Sequence, residues 1–106
     1  VSGDVATGPL LIQLGPGRVF VDGVETALSA VEYTLLAYLA VRLGDLCWAA
    51  DILDATWGRG WAATPEYGRQ VVRVHVHRLR VKLGAASGLV ENEVGRGYRL
   101  ADAPLS

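Results

Sequence analysis

Methionine is absent from this chain, cysteine occurs once, and no apolar run reaches the length of a membrane span. Each lack removes a class of protein. A lone Cys47 can form neither an internal disulfide nor a cluster of thiolate ligands, and a chain without bridges fits a reducing cytoplasm. With no histidine close to it in sequence, Cys47 is expected to be a small buried residue and not a nucleophile. The longest apolar stretch, Val31 to Leu43, is broken by Glu32 and Arg42 and falls short of the roughly 20 residues that cross a bilayer. No secretory pattern opens the chain. A chain that starts at Val1 and holds no methionine is expected to be part of a longer protein with a regulatory partner domain.

Charge is scarce as well: only 20% of the residues carry it, and the formal net charge is −1. With 51% apolar residues among 106, the chain is long and apolar enough to bury its own core, and it reads as one domain, 1–106. Residues 1–8, small and polar-leaning, are expected to be frayed. The near-neutral total hides a polarity. Between Arg59 and Arg99 lie eight of the ten lysines and arginines but three of the eleven acids, a balance of +5, while the remainder stands at −6. Such a molecule would orient itself on a polyanion.

Leu10 to Leu14, Arg18 to Val21 and Val24 to Ala27 read as short strands, with Asp22-Gly23 as a hairpin turn. Ser29 and Glu32 have the spacing of a capping box, Leu28 is placed to staple against Tyr33, and Leu35, Leu36, Leu39 and Leu43 recur at helical spacing before Gly44. A second helix is expected over Ala49 to Thr56. Gly58 to Gly68, with three glycines and Pro65, reads as a long mobile loop. A third helix follows over Arg69 to Leu83, with Val72, Val76, Leu79 and Leu83 as its core stripe. Residues 89–94 and 98–100 pair around Gly95-Arg96-Gly97. The fold class is therefore α+β: an antiparallel N-terminal sheet, three helices and a C-terminal hairpin.

Catalytic and metal chemistry find little to work with. His75 and His77, two apart on a helix, point about 200° away from each other and cannot share an ion. Asp51 and Asp54 lack a neighbouring histidine or lysine and read as solvated charges. Gly95-Arg96-Gly97 lacks the lysine and the following helix of a phosphate loop. No enzyme activity, metal or cofactor is expected. Trp48 and Trp57 are expected to plug the core with one edge exposed, and Trp61 reads either as a lid on the core from the loop or as a protein-contact residue.

Four segments, in order, resemble the C-terminal DNA-binding domain of OmpR/PhoB-type two-component response regulators. They are Leu28-Ser29-Ala30-Val31-Glu32-Tyr33-Thr34-Leu35-Leu36, Ile52-Leu53 with Thr56-Trp57-Gly58, Val72 to Arg80, and Gly95-Arg96-Gly97-Tyr98-Arg99-Leu100. The resemblance implies a winged helix-turn-helix, with the third helix (69–83) in the major groove and the wing (89–100) at the minor groove. It implies that Trp57 lies beside the phosphate backbone, that Gln70, Val71, Arg73, Val74 and His77 face base edges or adjacent phosphates, and that Arg78 and Arg80 are the paired arginines of the family. Arg80 is expected to be partly occupied by an internal acid, and His75 to support the junction of helix and wing.

Arg69 and Arg96 complete the expected phosphate contacts. Arg73 suits guanine, and Val74 or Val71 a thymine methyl. The loop residues Arg59, Trp61 and Tyr67 would face a protein, RNA polymerase in this family, and two copies would occupy tandem half-sites. The family's usual arginine near the start of the second helix is replaced by Ala49 and Ala50, an acid common at position 73 by Arg73, and a wing arginine by Val94. These departures, with Glu91 and Glu93 nearby, imply a weaker or specialised reader. The reading is a cytoplasmic, sequence-specific regulator that binds double-stranded DNA. The alternative is a winged-helix module that takes a protein partner through 58–68 or the third helix.

Overall fold

Alternating apolar residues build the first layer. The computed structural model describes residues 3–58 and 64–104. Four strands, β1 (Asp4–Thr7), β2 (Leu10–Gln13), β3 (Arg18–Val21) and β4 (Val24–Glu25), form an antiparallel sheet in sequence order. Leu10 and Ile12 on β2 and Val19 on β3 point into the core. Asp22 and Gly23 both take positive φ (51° and 79°), as a two-residue turn of this kind demands. β1 corrects the expectation of a frayed start. Asp4-Val5-Ala6-Thr7 carries too weak an alternation to declare itself, and pairing with β2 makes it a strand.

Helix α1 (Ala30–Val41) begins at the capping box read from the sequence. The Glu32 amide donates to Ser29 Oγ (3.2 Å), and the Ser29 amide donates to Glu32 Oε1 (2.8 Å). Leu35, Leu36 and Leu39 are fully buried. A two-residue strand, β5 (Cys47–Trp48), then runs directly into α2 (Ala49–Trp57). Its partner is the wing, so nothing in its own residues announces it.

Helix α3 spans Pro65–Leu83 and starts four residues before the expected Arg69. Thr64 caps it by accepting from the Tyr67 amide (3.1 Å), and Pro65 sits where a missing N–H costs nothing. Residues 65–68 are therefore helix and not loop, while 59–63 lie outside the described residues. The capping pattern Thr64-Pro65-Glu66 was present in the sequence but masked by its glycine-rich surroundings.

A 3₁₀ turn (Gly84–Leu89) leads to the hairpin β6 (Val90–Glu93) and β7 (Gly97–Leu100), which with β5 makes a sheet in the order β5-β7-β6. Its tip is Val94-Gly95-Arg96; Gly97 belongs to the strand. Strand residues on the inner face, including Val90 and Leu100, join Leu36, Ile52, Val72, Val76 and Leu79 in one core. The chain closes on its beginning. Thr7, wholly buried, donates from Oγ1 to the Ala101 carbonyl (2.6 Å) and accepts from the Ala103 amide (2.8 Å). Among the described residues no helix is long and apolar enough to cross a membrane.

Candidate nucleic-acid interface

One face of α3 is committed to the core through Val72, Val76, Leu79 and Leu83. At about 100° per residue, the positions two further on or two before point away from that face. Gln70, Val74, His77, Arg78 and Val81 occupy this crest, and all are exposed. Val81 is 67% exposed and Val74 46%.

The remaining basic residues of α3 stand on the two flanks of the crest. Arg69 and Arg73, four apart, line a cleft of about 320 Å³ between α3 and the wing tip, with Arg96 opposite and Ala49 beside them. Both arginines are exposed and neither has an ion-pair partner among the described residues. Burial raises the Tyr98 hydroxyl above its ordinary 10.0, and the nearby Arg80 and Arg73 guanidinium groups act against that rise. Arg73 lines the cleft on the wing-facing flank and not the crest.

On the other side, Arg78 from the crest and Lys82 from the flank line a groove between α3 and the start of α1. Lys82 is held there: its Nζ donates to Glu32 Oε1 at 2.6 Å. Glu32 is buried, which by itself would raise its pKa. The hydrogen bonds from Lys82 and Ser29 and the lysine's charge outweigh burial and leave it below its ordinary 4.5. The capping carboxylate of α1 is thus also the anchor for the C-terminal end of α3.

Arg80 is turned inward. Its Nε donates to the Val90 carbonyl at 2.9 Å, and a second guanidinium nitrogen donates to the same oxygen. The expected internal acid is a main-chain carbonyl instead, and Arg80 ties α3 to the wing. Val71 is half-buried against the core, and its carbonyl is bonded to Nδ1 of His75 (2.9 Å). The ring of His75 meets Trp57 edge-on, with centroids 4.9 Å apart. His75 therefore braces α3 against α2, not against the wing as expected. Trp57 packs on the core as anticipated, but Trp48 is 51% exposed and does not plug it. Arg59 and Trp61 lie outside the described residues. Tyr67, expected in the loop, is exposed on the first turn of α3.

The wing is stitched to the body through β5. Cys47 pairs with Tyr98 and Trp48 with Gly97, while the Ala49 amide donates to the Arg96 carbonyl (3.2 Å). Cys47 is buried, and that burial raises its thiol above the ordinary 9.0. The wing acids are partnered rather than loose: Glu91 pairs with Arg99 at 3.3 Å, and Glu93 lies 4.0 Å from Arg96. Arg96 stays 60% exposed and Val94 88% exposed at the tip.

A helix with an exposed crest and basic flanks, beside a hairpin anchored on a third strand, defines a winged helix-turn-helix. The family model described as transcriptional regulatory protein, C terminal, matches residues 23–100, and the chain belongs to that family. The family is one of regulators, not of enzymes.

The chain is 37% identical over 98 residues to the transcriptional regulatory protein PrrA of Mycobacterium leprae, covering 91% of this chain and 40% of PrrA. It is 32% identical over 96 residues to VxrB of Vibrio cholerae, covering 91% and 37%. The chain thus spans about two fifths of the length of these relatives. In fold it is similar to the DNA-binding domain of CpxR from E. coli, with a TM-score of 0.79 at 23% identity over 95% of this chain and 98% of that one. The Klebsiella pneumoniae RstA DNA-binding domain, solved in complex with the RstA box, gives 0.78 at 24% identity over 93% and 97%.

Proposed function

We propose that this chain binds double-stranded DNA sequence-specifically, as the DNA-contacting part of a longer cytoplasmic transcription regulator. One observation carries the reading: an exposed crest on α3 stands beside Arg69 and Arg73, which have no ion-pair partner among the described residues, and faces a wing arginine across an open cleft. Phosphates take cations at the edges of a groove, and base edges take short directional or apolar groups at its centre. Arg69, Arg73, Arg78 and Arg96 contact phosphates, while Gln70, Val74 and His77 face the bases. Trp57, Val71 and Arg80 serve by holding α3 in place. The relatives' names and the structure solved with an RstA box support the same reading. Segment 58–68, with Arg59, Trp61 and Tyr67, is proposed as a surface for RNA polymerase, and two copies as occupants of tandem half-sites, both from the family resemblance.

A salt titration of binding tests this. Four arginines neutralising four phosphates give a slope of log K against log[salt] of about −3.6. A slope near zero, or no binding to any member of a random DNA library, overturns it and moves the protein-binding alternative ahead.

A further inference from the structure

We infer that the crest of α3 reads an A·T-containing step, with Gln70 on an adenine and Val74 on a thymine methyl, while Arg73 serves the backbone beside the wing. This rests on the DNA-binding reading above and names the sequence class that such a site takes. Around Gln70 and Val74 the crest holds no arginine or lysine; its one cation, Arg78, stands a full turn beyond Val74, and the other cations of α3 stand on the flanks. A glutamine presents a donor and an acceptor in one plane, which matches N7 and the N6 amino group of adenine. Guanine, with acceptors at both N7 and O6, is matched instead by the arginine fork.

Arg73 carries the fork but is placed elsewhere. It lines the wing cleft and lies close enough to Tyr98 for its charge to act on that hydroxyl. A guanidinium there meets the strand of backbone that separates the groove entered by α3 from the groove met by the wing. Val74, at 46% exposure, has no polar atom to offer and fits the one apolar group in the major groove, the thymine C5-methyl.

Spacing sets the length of the step. Gln70 and Val74 are four residues apart, about 6 Å along the helix axis, close to two base-pair steps of about 3.4 Å. An adenine and a contacted thymine methyl should therefore fall within two base pairs of each other.

Selection from a random DNA library, followed by atom replacement in the selected site, tests this with the whole chain. Deoxyuridine in place of the contacted thymidine should weaken wild-type binding about fourfold and leave V74A unaffected. 7-Deazaadenine should weaken the wild type about fivefold or more and leave Q70A unaffected. Both side chains are exposed, so the variants keep the fold, and the DNA analogues need no variant at all.

Enrichment of guanine opposite the crest, relaxed by R73A, overturns the inference while DNA binding stands. Unchanged binding to both analogues does the same. Failure to enrich any sequence removes the DNA-binding reading itself.

Discussion

Replacement of Gly97 by alanine puts the anchoring of the wing to a direct test. Gly97 pairs with Trp48, and a Cβ there would lie 2.8 Å from the Cys47 carbonyl carbon and 2.9 Å from the Trp48 Cα, closer still to the Cys47 carbonyl oxygen. All three are main-chain atoms, so no side chain can swing aside. If the strands stay together, the overpacking costs about 1–3 kcal/mol. If β5 separates from β7, the bonds of that short ladder and the Ala49-to-Arg96 bond are lost at about 1 kcal/mol each, a similar total.

Either route predicts a loss of about 1–3 kcal/mol and a fall in melting temperature of roughly 5–15 °C for a domain of this size. DNA affinity should fall too, because the displaced strand holds the tip that carries Arg96. Gly88, with open space around it, is the control, and Gly88→Ala should leave both quantities close to wild type. Thermal unfolding and binding to a selected site measure both. A Gly97→Ala protein that melts with the wild type and binds equally well would refute the β5–β7 contact.

Glu32→Gln should cost about 1–2 kcal/mol at neutral pH by removing the charge that Lys82 and the Ser29 amide bond to. Because the folded pKa is lowered, that stability is fully present above the ordinary 4.5 and is lost as pH falls through the lower folded value. Denaturation curves of wild type and Glu32→Gln should converge in acid; a gap that persists at the acid end contradicts the ion-pair account. Arg78→Ala should flatten the salt slope by about one unit with little change in stability. Arg80→Met should instead lower stability by about 1–3 kcal/mol, since the Val90 carbonyl loses its donors, and leave the slope almost unchanged. Equal slopes and stabilities for the two variants would show that both arginines act alike. Thr7→Val should cost about 2 kcal/mol by orphaning Ala101 and Ala103, measurable by urea unfolding.

What the chain states in its sequence are the elements whose causes are local. Ser29 and Glu32 lie three residues apart, Asp22 and Gly23 are adjacent, and the buried stripe of α3 repeats within one turn. Each forms from groups that are neighbours before folding. The same locality made the basic flanks and exposed crest of α3 legible, because helical period alone divides its faces.

Contacts made across the fold were out of reach. β1 alternates too weakly and β5 is too short to carry a pattern, and they exist because β2 and β7 offer them partners. Lys82, counted by composition among the bases available to a polyanion, is bonded to Glu32 fifty residues away. Arg80 was expected to meet an acid, since acids can be seen in a sequence; it meets a carbonyl, which every residue carries and no residue advertises. Gly97 reads as turn chemistry, but it is required by the main chain of β5 crossing beside it. Which side chains could touch DNA follows from helical period. Which of them remain free to do so depends on partners that only the folded chain brings within hydrogen-bonding distance.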